Sequence, residues 1–262
     1  GQGALEGRWR SPEARRELFG GAAGGFGCNT RIGEAARTGR FRMDIANFGQ
    51  YEVEGKSYVT VRDRPFGNSE AVSDGYFTAL GLKVLEGRDF TIDDMDAKQP
   101  VAIVNASFAK KYFGNESAIG RRIRRFNPAK TEAWRTIVGV VPETLMQGPF
   151  NQQTDNSGFY TPLLGTAEAP QFATLIVRPH PGQNAASLAP ALTQAVAQLD
   201  RDLPVYFGGT AAHLHDEILG GNRLIANLFT IFGAVAVVLS AVGLSGVMSF
   251  SGSQRTQEIG IR

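Results

Sequence analysis

The hydrophobic pattern divides the chain into a long stretch of short, glycine-punctuated periods and one uninterrupted apolar run. "YEVEGKSYVTV" (51–61) alternates as two strand pieces about a turn at Gly55. In "VSDGYFTALGLKVLEGRDF" (72–90), Tyr76, Phe77 and Leu80 form a short helical face ended by Gly81, and "LKVLEG" is a strand closing at Gly87. An acidic turn spans Thr91 to Ala97. Val101–Val104 is an apolar strand, and Asn105 is placed to cap the helix after it. Phe108 and Tyr112 share a face of that helix, which Gly114 ends. "WRTIVGVV", "FATLIVRP" and "LPVYF" are further strands, and residues 142–157 are a polar loop. Ala185–Leu199 is a helix striped by Leu188, Leu192, Val196 and Leu199, and Thr210 opens another that runs through Leu219. The strand–helix–strand order predicts an α/β sandwich with helices over one sheet face.

The apolar run, "LIANLFTIFGAVAVVLSAVGLSGVMSF", covers Leu224–Phe250. Its 27 residues carry no charge. As a helix it is roughly 40 Å long, more than the ~30 Å hydrocarbon core of a bilayer. A buried core helix is the competing reading, but so long an uncharged segment argues for a membrane span. It lies near the C-terminal end, unlike a secretory signal. Ala236 with Ser240, and Ala241 with Ser245, stand four apart, and Gly243 and Gly246 lie beside them. Small residues at that spacing let helices approach closely in lipid. Arg255 and Arg262 follow the span, whereas Arg223, with Asp216 and Glu217 upstream, precedes it. The positive-inside rule places the C-terminal flank in the cytoplasm and the large domain outside it.

Residues 1–42 have a different texture. They hold eight arginines, no lysine, and "GGAAGGFG". No apolar period is sustained there, and residues 1–50 are expected to be a disordered arm. Neither a GxxxxGK[ST] nor a GxGxxG pattern accompanies the glycines. Downstream, "IGRRIRRF" gathers Arg121, Arg122, Arg124 and Arg125. It is read as a solvated strand edge, protected by charge from stray pairing, with an anion site as the sharper alternative.

Composition narrows the chemistry. The 27 basic and 25 acidic residues nearly balance, which gives no case for nucleic acid. The single cysteine, Cys28, excludes an intrachain disulfide and thiolate metal clusters. In "HLHDE", His213 and His215 are two residues apart on a helix and point to different sides, so no metal site is assigned there. No catalytic constellation and no cofactor site are expected in this chain.

Three ordered segments, "VSDGYFTALGLKVLEGRDF", "VAIVNASFAKKYFG" with "IGRRI", and "SQRTQEIGIR" after the apolar span, resemble the MacB/FtsX-like family of bacterial ABC transporter permeases. The resemblance covers about Tyr51 to Arg262. It implies a mixed α+β and α/β extracytoplasmic domain followed by one transmembrane α-helix. That domain is MacB-like, with porter-like βαβ units and an inserted β-rich subdomain. It implies four membrane helices in the whole permease, with Leu224–Phe250 as the second, and hence that this chain is a fragment. The domains are then a periplasmic core over 51–220, a transmembrane helix over 221–253 and the start of a cytoplasmic coupling segment over 254–262. Arg255, Glu258, Ile259, Gly260, Ile261 and Arg262 are the coupling residues, and Ala236, Ser240, Ala241, Gly243, Ser245 and Gly246 the helix-packing residues. The implied partners are membrane lipid, an ABC ATPase subunit or domain, a second permease copy and a periplasmic adaptor. The implied setting is the bacterial inner membrane, and the implied role is non-catalytic export, efflux or mechanotransmission. Gly220 and Gly221 are read as either a hinge or a helix break. Two other classes compete: a single-span extracytoplasmic binding or sensory protein, which leaves "EIGIR" unexplained, and a tethered enzyme, which requires a converging ionisable pocket.

Overall fold

The computed structural model describes residues 32–39, 47–95, 100–144, 146, 155–163, 174–199, 205 and 208–259. Two compact units divide at Gly208/Gly209. Among the described residues the first unit is built on nine strands: β1 (Ile32–Thr38), β2 (Asn47–Val53), β3 (Phe66–Val72), β4 (Glu86–Gly87), β5 (Val101–Asn105), β6 (Arg122–Arg125), β7 (Arg135–Val141), β8 (Gly158–Pro162) and β9 (Thr174–Pro179). Among the described residues its α-helices are α1 (Tyr76–Leu80), α2 (Ala106–Phe113) and α3 (Leu188–Leu199). The second unit is one helix, α4 (Ala211–Ile259).

The strands form a mixed sheet in the order β2-β6-β7-β5-β8-β3-β1-β9, with β4 beside β7. β5 runs parallel to β7, and β3 parallel to β8. β2 changes partner along its length: Asn47–Gln50 pair with β3, and Tyr51–Val53 pair with β6. The sheet therefore curls back on itself at β2. Gly67 makes room for this, since a Cβ there would lie 2.4 Å from the Tyr51 ring.

Helices cover both faces of the sheet, not one. β5 is apolar at every position but its last because both of its faces are buried. Val101 and Ile103 join a cluster with Tyr76 and Phe77 of α1 and Tyr160 of β8. Ala102 and Val104 join another with Tyr51, Phe159 and Phe108 of α2. Aromatic pairs lock each cluster: Phe77 meets Tyr160 edge-on at 4.9 Å, and Phe108 meets Tyr112 at 4.7 Å. Asn105 caps α2 as its position predicts. Gly81 ends α1 with φ +74°, a conformation that other residues adopt only with strain.

Four further expectations need correction. The domain begins before residue 51: β1 and the start of β2 lie inside the stretch read as a disordered arm. Glu34 and Arg37 break the apolar alternation of β1, yet the sheet buries Arg37, whose amide donates to Ser73 Oγ at 2.9 Å. The second half of "YEVEGKSYVTV" is not a strand; a 3-10 turn occupies Val61–Asp63, where Asp63 accepts the Thr60 amide at 2.7 Å. "LKVLEG" contributes only Glu86–Gly87 to the sheet, because Leu82 and Val84 turn into the α1 cluster. β6 is not an edge, since β2 and β7 flank it. All of "LPVYF" but Val205, and most of the loop within 142–157, lie outside the described residues.

Candidate functional site

Helix α4 holds the segment that sets this chain apart from an ordinary α/β domain. Thr210 Oγ1 accepts the His213 amide at 3.2 Å and caps its start. The helix runs without a break through Gly220 and Gly221 and on to Ile259. At 1.5 Å per residue its 49 residues reach about 73 Å. Ile225–Ser245 has a mean hydropathy of 2.3 and is long enough to cross a membrane. None of that segment is buried against the protein.

The polar side chains of this segment are partly satisfied within the helix itself. Thr230 Oγ1 donates to Ala226 O and Ser245 Oγ to Val242 O, both at 2.8 Å. This bonding to the preceding turn lets hydroxyls sit in an apolar medium. Ala236, Ser240, Ala241, Gly243 and Ser245 are exposed, and Gly246 is helical. A side chain added at Gly243 or Gly233 would meet nothing of this chain within 4 Å. Of the expected coupling residues, Arg255, Glu258 and Ile259 lie in the last turns of α4, while Gly260, Ile261 and Arg262 lie outside the described residues.

In the first unit, polar chemistry gathers on β2 and β6. Glu52 is buried between two guanidinium groups. Arg64 Nε reaches Glu52 Oε1 at 2.6 Å, and Arg124 Nη2 reaches Oε2 at 2.5 Å. Each arginine also lies on an aromatic ring: Arg64 over Phe126 at 4.1 Å, and Arg124 over Trp134 at 4.4 Å. Burial pushes the Glu52 carboxyl up, but the two guanidinium groups outweigh it and hold the group below its ordinary range. Arg122 pairs with Glu54, and Arg121 with Glu116. The arginine-rich strand is thus largely neutralised by carboxylates of this chain, which weakens the anion-site reading.

His180 and His213 are exposed, and among the described residues no three His, Cys, Asp or Glu groups are placed to hold a metal ion.

The family model of the MacB-like periplasmic core domain matches residues 31–195. The chain belongs to this family. The match begins at the residue before β1 and ends within α3, so it covers the sheet and stops short of α4. The macrolide export ATP-binding/permease protein MacB of Aggregatibacter actinomycetemcomitans is 25% identical over 198 residues, 74% of this chain and 30% of that protein. The ABC transporter permease YknZ of Bacillus subtilis is 26% identical over 199 residues, 73% of this chain and 47% of that protein. The chain thus spans less than half the length of these relatives. A crystal structure of the periplasmic region of MacB from Actinobacillus actinomycetemcomitans aligns at TM-score 0.48 and 21% identity, covering 68% of this chain and 72% of that one.

The Glu52–Arg64–Arg124 triad is absent from the sequence reading. Its only trace there is a charged residue between Tyr51 and Val53: Glu52 interrupts an apolar run, and Arg124 of the arginine-rich strand becomes its register partner. Arg64 comes from the loop before β3, and no spacing rule links it to either.

Proposed function

We propose that this chain is the extracytoplasmic core and second membrane helix of an ABC transporter permease, serving export or mechanotransmission. The observation that carries this reading is Ile225–Ser245: an unburied apolar segment inside one unbroken helix, downstream of a periplasmic core domain. An uninterrupted helix is a stiff element. Its passage through Gly220 and Gly221 favours a rod over a break, so motion applied at its far end is transmitted along its length.

On this reading α4 crosses the bacterial inner membrane with the large domain on the periplasmic side. Arg255 and Glu258 to Arg262 start the coupling segment that meets an ABC ATPase subunit or domain. Ala236, Ser240, Ala241, Gly243, Ser245 and Gly246 pack against another membrane helix, in this permease or a second copy. The exposure of Gly243 and the empty space beside it support that role. The parallel β5–α2–β7 connection supports a porter-like unit within the domain. The chain itself is non-catalytic, and ATP hydrolysis belongs to its partner. Lipid surrounds the span, and a periplasmic adaptor is the expected partner of the outer domain.

Topology tests the reading. In a Cys28→Ser background, Lys130→Cys in the domain is expected to react with a membrane-impermeant maleimide on intact cells. Ser253→Cys is expected to react only after permeabilisation. Labelling of both on intact cells would overturn the proposal.

A further inference from the structure

The domain carries an apolar surface on its β2–β3 hairpin that its own core does not use. Phe48 and Phe66 stack with centroids 5.4 Å apart and planes 16° apart. They remain 48% and 52% exposed. Gln50 stands opposite Phe66 in the strand register, and its Nε2 donates to Val61 O at 2.6 Å. That bond ties the connecting loop beside the stack. The same loop exposes Val61 by 53% and Val59 by 94%. It also exposes Lys56 and Arg62, which have no ion-pair partner among the described residues. Arg64 is held by Glu52 and stacked on Phe126, so the base of the loop is anchored. Asp63 is occupied by the Thr60 amide.

We propose that this loop and the Phe48–Phe66 stack rest on an anionic lipid surface. Phenylalanine and valine side chains would leave water for the headgroup boundary, and Lys56 and Arg62 would meet lipid phosphates. Four apolar side chains, three of them about half exposed, fall well short of the ~800 Å² per partner of a stable protein interface. A lipid surface needs no shape complementarity. The inference rests on the membrane-crossing reading of α4, because a tether raises the effective concentration of lipid at the domain and lets a small patch suffice.

The test uses the full chain reconstituted in vesicles of phosphatidylethanolamine and phosphatidylglycerol containing brominated lipid. A bimane probe is placed at Val59→Cys or, separately, at Val237→Cys in the Cys28→Ser background. Both probes are expected to be quenched. Quenching at position 59 is expected to vanish with Phe48→Ser/Phe66→Ser, and removing both cations (Lys56→Gln/Arg62→Gln) should weaken the contact about tenfold or more. Quenching at 237 with none at 59 would overturn this inference, leave α4 in the membrane, and assign the patch to a protein partner. Quenching at 59 that survives replacement of phosphatidylglycerol by phosphatidylcholine would overturn the anionic specificity. Absence of quenching at 237 would overturn the membrane reading and this inference with it.

Discussion

Asn105 and Gly158, fifty-three residues apart, are joined by a buried hydrogen bond in which the Asn105 side-chain oxygen accepts the Gly158 amide at 3.1 Å. The same oxygen accepts the Phe108 amide at 3.0 Å, and Asn105 Nδ2 donates to Asn156 O at 2.6 Å. One side chain thus caps α2 and fixes the start of β8 against β5. Asn105→Ala is expected to destabilise the domain by about 3 kcal/mol, combining a lost cap with an orphaned buried amide. Chemical denaturation would measure it. A change below about 1 kcal/mol would show that the link across β5 and β8 contributes little.

Glu52 makes stability depend on pH. Its carboxyl is held low in the folded state by Arg64 and Arg124, against an ordinary value of 4.5. The native state therefore binds fewer protons than the unfolded chain, and the contribution is fully present above pH 4.5. It is lost as pH falls through the lower folded value. Glu52→Gln is expected to cost about 2 kcal/mol at neutral pH, less than the ~3–5 for a fully buried pair because both guanidinium groups retain some exposure. The variant should also flatten the acid limb of a melting-temperature profile against pH.

Asp89 works in the opposite sense. Burial raises its carboxyl, and Asp74 and Asp94 add to this against the Phe90 amide. A raised folded value means that stability declines as pH rises from the ordinary 3.8 through the folded value. Asp89→Asn keeps an acceptor for the Phe90 amide, which the aspartate now binds at 2.6 Å. It is expected to leave neutral-pH stability unchanged or slightly raised, and to lose that advantage in acid. Thermal melts at two pH values decide it.

Gly139 admits the backbone of Arg88 beside β7. A Cβ at 139 would lie 2.3 Å from Arg88 O, and Arg88 N donates to Val138 O at 2.9 Å. The clash is with main chain, which cannot swing aside. Gly139→Ala is expected to cost about 2 kcal/mol or more. Gly220→Ala in α4 is the contrasting case, since a Cβ there meets nothing within 4 Å. It should raise helix stability by about 1 kcal/mol, read by circular dichroism in detergent. A fall in stability would indicate that the residue serves as a break.

Leu239 lies mid-segment in Ile225–Ser245 and is 66% exposed to its surroundings. Leu239→Arg is expected to oppose membrane insertion by roughly 3 kcal/mol. The chain should then appear in the alkaline carbonate supernatant, whereas the parent stays with the membrane pellet.

Whatever depends on near neighbours is legible along the chain. The apolar run at 224–250, the α1 face of Tyr76, Phe77 and Leu80, the Asn105 cap and the glycine stops at Gly81 and Gly114 are local, because helical periods and caps act within a few residues. Tertiary structure alone decided which strands pair and what they bury. Only pairing with β3 and β9 turns charged "IGEAART" into a sheet strand, only a change of partner within β2 curls the sheet, and only flanking by β2 and β7 makes β6 an interior strand with paired arginines. The physical reason is that a strand has no internal hydrogen-bond partners, so its place, its burial and the company of residues such as Glu52, Arg64 and Arg124 are set by segments far away along the chain.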